Sequence, residues 1–243
     1  MDSDHSYIPS EVPSESRSPC PALNTLANHG YLPRSGKGIE LKTLLVALIT
    51  VYNVSYPLAL LLAGTALLRY GKLDTSSSLL PWNWRLTIDL ASLSSFGSLR
   101  IAHPASLVHP NEPSHSPDPN LLENAVSHAH KDSSGSELGL TLRDLAAIRL
   151  EREAKLSQPL DSLHERIALG ESALCYLALR NHFGSTDTIP ISRFAIFFGD
   201  ERLPDNWWQE VRPTTTVGLI ETRRIANDIK NIMAALGESR SDS

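Results

Sequence analysis

Apolar and polar positions recur with helical spacing along most of this 243-residue chain, and the two-residue alternation of a half-buried strand is nearly absent. Residues 1–18 are polar and proline-bearing and read as an extended N-terminal arm. Pro21 suits the first position of a helix and Gly30 its exit, which predicts a short helix from about Pro21 to His29 with Cys20 as N-cap. From Thr43 to Leu68 run 26 residues without a charge, long enough for a membrane span. Thr50, Tyr52, Asn53, Ser55 and Pro57 interrupt its centre, where hydrocarbon tolerates polar groups least. Two buried helices hinged near Pro57 account for the same letters, so both readings stand at this point. Segment 85–99 reads as helical, with Leu86, Leu90 and Leu93 on one stripe. Five prolines make 104–120 an irregular loop, and the Ser/Gly-rich 131–137 is a second one. Thr141-Leu142-Arg143-Asp144 has the form of a capping box, with Asp in place of Glu, opening a charged amphipathic helix to about Leu156. Further helices are expected over about Ser162 to Leu179, around Phe194 to Phe198, and from about Gly218 to Leu236. The pattern predicts an all-α fold: one domain over 19–236 and a flexible tail over 237–243.

Composition narrows the function classes. Hydrophobic residues at 41% and charged residues at 20% are ordinary globular usage, which excludes disorder throughout. A net charge of −5 without a basic block leaves nucleic-acid binding no electrostatic footprint. Two cysteines, Cys20 and Cys175, exclude a disulfide scaffold and a cysteine-rich zinc module. The opening Met1-Asp2-Ser3-Asp4-His5 has neither the basic nor the apolar region of a secretory signal, so an intracellular, cytoplasmic protein is expected, with membrane association as the rival reading.

Chemistry enters with Cys20. Flanking prolines restrict the backbone on both sides, and the amides of the helix start favour the thiolate, which can serve as a nucleophile or a metal ligand. The spacing identifies no partner base, and an inert loop cysteine fits the same letters. Glu171 is a lone carboxylate sharing a helix face with Ile167, Leu174 and Ala178. Such a group should titrate above the usual carboxylate range, unless it pairs with an arginine such as Arg166 or Arg180. Cys175 reads as a buried structural thiol, the histidines at 109, 115, 128 and 130 as loop or polar-face residues, and Trp207-Trp208 as core or interface.

The run Pro19-Cys20-Pro21-Ala22-Leu23-Asn24-Thr25-Leu26-Ala27-Asn28-His29-Gly30-Tyr31-Leu32-Pro33-Arg34 resembles the Pro-Cys-Pro signature of the fungal haem-thiolate peroxidases, the chloroperoxidase and unspecific-peroxygenase family. Phe198 to Pro204 is similar to the Glu-Arg-Leu-Pro element of the shorter members, and His5-Ser6-Tyr7 to their aromatic arm. The resemblance implies a helical bundle enclosing haem b, with Cys20 as the axial thiolate on iron. It favours two interior helices over 43–68 and argues against the membrane. It also implies hydrogen peroxide and a small organic molecule as substrates, in fungal specialised metabolism.

Ile101-Ala102-His103-Pro104-Ala105-Ser106-Leu107 is similar to the family's Ile-Glu-His-Asp-Ala-Ser-Leu motif, whose Glu and Ser bind a divalent cation and whose His supports a distal acid–base Glu. Ala102 and Pro104 depart from it. Ser106 is then left without the carboxylate that a Mg²⁺ or Mn²⁺ site needs, and His103 without the acid expected to fix its tautomer. The segment around Glu171 looks like the one supplying the distal Glu, with Glu165 and Glu201 as the next carboxylates. The eroded motif, together with the uncharged run, motivates the alternative of a non-catalytic or membrane-associated homologue.

Overall fold

The computed structural model describes residues 5–11, 14–75, 84–97, 100–111, 114–131, 138–182 and 187–241. Helix α1 (Pro21–Asn28) begins with Pro21 behind Cys20, and the chain leaves it through Gly30 at φ 71°, a left-handed geometry that glycine adopts without a Cβ clash. The uncharged run forms two helices, α2 (Leu41–Tyr52) and α3 (Tyr56–Tyr70). Its polar centre is the turn between them. Asn53 adopts φ 52° and its side-chain amide donates to the Pro213 carbonyl at 2.9 Å, while the Ser55 hydroxyl caps the Leu58 amide. Among the described residues no helix is long and apolar enough to cross a membrane. The pair is interior on one face only: Leu44, Leu48, Leu58 and Ala63 are buried, whereas Val46, Leu61 and Leu68 are exposed.

Helix α4 (Pro119–Ser127) starts on Pro119 under an Asp118 cap, at the end of the expected loop. The capping box is present with both of its bonds at the head of α5 (Leu142–Ala154). Asp161 caps α6 (Ser162–Leu179), which has the expected bounds. Helix α7 (Ile191–Gly199) carries the expected Phe194 to Phe198 stretch, and α8 (Leu219–Ser241) packs along α5 and α6. That last helix runs past Leu236, where the sequence pattern ends it.

The fold is mainly α but not all-α. Two three-stranded antiparallel sheets are present: β1 (Ile39–Glu40), β2 (Lys72–Asp74) and β3 (Arg85–Ile88) in the order β1-β3-β2, and β4 (His130–Lys131), β5 (Leu138–Leu140) and β6 (Ile189–Pro190) in sequential order. Segment 85–99 is therefore a strand followed by a short 3₁₀ turn, Leu90–Ser94, rather than a helix. Pairing of Ile88 with Ile39 and of Leu86 with Leu73 satisfies its backbone from both sides, and that long-range pairing overrides a three-leucine stripe. Strands of two to four residues are too short to display alternation. Residues 132–137, most of the second expected loop, lie outside the described residues.

Candidate active site

Cys20 stands at the mouth of α1, half-buried, and faces a cavity of about 1830 Å³ counting its open mouth. Burial pushes its thiol up to about 12, and the Glu171 carboxylate adds to the rise. The amides of Leu23 and Ala22 pull the other way, without closing a regular cap bond. A network of buried polar groups holds the loop from behind. The Cys20 amide donates to the Ser18 hydroxyl at 3.2 Å, and the Ser18 amide donates to Asn24 Oδ1 at 2.9 Å. Asn24 Nδ2 donates in turn to the Ser18 carbonyl at 2.7 Å and to Glu201 Oε1 at 2.6 Å.

The second wall comes from the 101–111 loop and α6. His103 Nδ1 lies 2.7 Å from the Pro104 carbonyl, which can only accept, so Nδ1 carries a proton and Nε2 is directed at Glu171 Oε2, 3.2 Å away. A backbone carbonyl thus does what the missing acid would do, and His103, its side chain 3% exposed, is firmly held rather than loose. Arg152 pins the loop by donating to the Ser106 and His109 carbonyls and to Asn111 Oδ1, each at 2.8 Å. Ala105, just before the anchored Ser106, sits at φ 63°, a left-handed geometry that costs a residue with a Cβ about 1–2 kcal/mol.

Charge in this wall runs against one expectation. Burial alone would raise Glu171, but His103 at hydrogen-bond distance, with Arg149 behind it, holds the carboxyl below the usual range. Burial likewise pushes His103 down, and Glu171 more than offsets it, leaving the imidazole above its ordinary value. The lone carboxylate has a partner, and it is this histidine, not Arg166 or Arg180.

One cavity therefore brings together Cys20, His103, Ser106 and Glu171, as well as Cys175, which is buried but also lines the space. Arg149 and His109 line it as well; the sequence analysis left Arg149 unnamed and read His109 only as a loop or polar-face histidine. Arg149 is 1% exposed, pairs with Glu153 through one nitrogen and leaves Nε without a partner. The signal was there: positions 145, 148, 149 and 152 form one helical stripe, which places Arg149 and Arg152 on the buried face of α5. His109 is 2% exposed with neither ring nitrogen partnered, and burial lowers it to about 4, so it is neutral. Glu165, one of the reserve carboxylates, pairs with Lys230 at 2.8 Å.

Glu201, the other, is a support of the cysteine loop. It is 7% exposed, adopts φ 49°, and burial raises it to about 7 against the pull of Asn24 and Arg17. Between about 4.5 and about 7 the folded chain then holds more protons than the unfolded one, so stability falls as pH rises through that window. At 1.36 kcal/mol per pH unit the loss is roughly 3 kcal/mol at most. Glu201→Gln keeps the acceptor for Asn24 and cannot ionise, so thermal unfolding across this window should show the slope in the wild type and not in the variant. A constant offset between the two would refute it.

A family model described as peroxidase, family 2 matches residues 5–212. An aromatic peroxygenase of Coprinellus radians is 26% identical over 229 residues, covering 88% of this chain and 86% of that protein. Two further matches are local. A chloroperoxidase of Leptoxyphium fumago is 62% identical over 32 residues, 13% of this chain and 9% of that protein. The dothistromin biosynthesis peroxidase dotB of Dothistroma septosporum is 46% identical over 39 residues, 16% of this chain and 9% of that protein. With the match spanning nearly the whole described fold and both walls of the cavity, the chain belongs to peroxidase family 2, the haem-thiolate peroxidases.

Proposed function

We propose that this peroxidase binds haem b in the Cys20 cavity and uses hydrogen peroxide to oxidise or oxygenate a small organic molecule, in a biosynthetic setting such as the name of the dothistromin relative describes. The observation that carries this reading is the single cavity that holds a cysteine sulfur and a histidine-paired carboxylate. The donor set suits the group: a soft sulfur for iron, and an apolar surround including Leu44, Leu48, Ile88 and Phe197 for a porphyrin face. When bound, haem supplies the redox chemistry, and thiolate ligation favours cleavage of the peroxide O–O bond.

The chain's own residues handle protons and position. Glu171 is ionised at neutral pH and offers Oε2 as the base that takes a proton from hydrogen peroxide and returns it to the departing oxygen as water. His103 Nε2 orients that carboxylate and keeps it ionised. A divalent cation is poorly served here: beside Ser106 the loop presents Ala102 where a carboxylate ligand is needed. Elemental analysis of the haem-loaded protein should give iron without a stoichiometric second metal, and one Mg or Mn per haem would overturn this.

The non-catalytic alternative loses its main motive once the Pro104 carbonyl anchors His103. The proposal is tested by supplying oxygen-labelled hydrogen peroxide with a small aromatic substrate to the haem-loaded protein. Label in the product indicates oxygen transfer, and oxidised product without label indicates electron abstraction. Absence of any peroxide-dependent product from a panel of aromatics and halides would sink the reading.

A further inference from the structure

The Trp207-Trp208 pair is more than core packing. Tyr52 is 5% exposed, lines the cavity, and donates its hydroxyl to the Ala22 carbonyl at 2.8 Å, two residues from Cys20. Its ring meets that of Trp207 edge-on at 5.8 Å and 85°. Trp207 is 3% exposed, lies outside the cavity lining, and donates its indole N–H to the Val51 carbonyl at 3.1 Å. The next residue, Trp208, is 39% exposed. Both indoles sit on a single π-helical turn, Trp207–Val211, entered through Asn206 at φ 56°, a kind of turn that recurs at functional sites. Around Trp208 the surface continues in aromatic rings: Tyr31 at 6.3 Å, with His5 stacked on it at 3.9 Å.

We propose that Trp208, Trp207 and Tyr52 form an electron path from the surface to the cavity, through which the protein oxidises phenols too bulky to enter it. The inference rests on the peroxidase reading, because hydrogen peroxide is the oxidant. A bulky phenol docked on the Trp208 and Tyr31 rings gives one electron to Trp208 and its hydroxyl proton to water, leaving a phenoxyl radical. Trp208 has passed its own electron to Trp207, and Trp207 has passed one across the Tyr52 ring to the oxidised cofactor. Two phenols supply two electrons and two protons, which with one hydrogen peroxide make two waters. Tyr52 bridges rather than stores the charge, since its hydroxyl donates to a peptide carbonyl that cannot keep a proton. The indoles can carry it without losing a proton. Core packing accounts for Trp207; Trp208 is held at the surface with the Arg212 guanidinium 5.7 Å from its ring centre, beside the stacked histidine–tyrosine pair.

The test uses the haem-loaded full chain with two probes, free phenol and phenol tethered to dextran, each with hydrogen peroxide. Trp208→Ser and Trp207→Phe should each lower dextran–phenol oxidation by about tenfold or more, with free-phenol rates within about twofold of wild type. A second readout needs no substrate: after peroxide alone, peptide mass spectrometry should find oxidised Trp208 in the wild type and not in Trp207→Phe. Trp208→Ser alters only a surface position, so it serves even if Trp207→Phe folds poorly. Wild-type protein that oxidises free phenol but not dextran–phenol, or variants equal to wild type on both, would overturn the path. Failure of the wild type on free phenol as well would instead bring down the peroxidase reading beneath it.

Discussion

Cys20→Ala is expected to remove the strongly red-shifted ferrous–CO absorption band of thiolate-ligated haem and to abolish the reaction with peroxide. The physical case is direct. The sulfur faces the cavity from the start of α1, while Cys175, the other thiol lining it, is buried and pushed well above its ordinary range. The variant should still fold, because Cys20 makes no cap hydrogen bond and the Ser18–Asn24 network that holds the loop uses its backbone, not its side chain. In the haem-free chain the thiol, pushed up to about 12, should react sluggishly with alkylating reagents at neutral pH. A bound ferric ion reverses that balance by placing positive charge at the sulfur. A wild-type band at the position of histidine-ligated haem, or a band unchanged in Cys20→Ala, would refute the assignment.

Glu171→Gln should slow formation of the oxidised enzyme by about 10²–10⁴-fold, the contribution of a positioned acid–base group, with the haem spectrum intact. Stopped-flow mixing with hydrogen peroxide reads this step before any substrate reacts. Gln keeps the size and one oxygen of the side chain but can neither take nor return a proton. His103→Ala separates positioning from proton transfer. Removing His103, the largest influence holding Glu171 down, leaves burial, which raises it, opposed mainly by the weaker pull of Arg149. The acid limb of the peroxide rate should therefore move to higher pH in His103→Ala, with a smaller loss at its plateau than in Glu171→Gln. A Glu171→Gln rate within a few-fold of wild type would exclude the carboxylate, and an unmoved acid limb would exclude the histidine's part.

Local rules read from adjacent residues predicted much of this protein. Pro21 and Gly30 bracket α1 and set Cys20 at its start, Thr141 and Asp144 close their box, and Asn53, Ser55 and Pro57 break the apolar run where the chain turns. Each of those signals is complete within a few residues, because a cap or turn satisfies backbone groups close by in sequence. The two small sheets were not legible, since their pairing joins residues such as Ile39 and Ile88, or Gly139 and Pro190, through strands too short to carry a period.

The same division runs through the site. Cys20, His103 and Glu171 could be picked out from residue type and resemblance, but not the sign of the charge among them. That sign came from a histidine 68 positions away from its carboxylate, anchored by the Pro104 carbonyl where an acid was missing. Arg152 on the loop carbonyls and Glu201 behind Asn24, the latter 177 residues distant, were equally invisible. Sequence alone determined which groups are candidates to carry chemistry, because candidacy depends on side-chain type and local backbone. The tertiary structure decided how those groups are held and charged, because burial and Coulomb interaction depend on which distant groups the fold brings within a few ångströms.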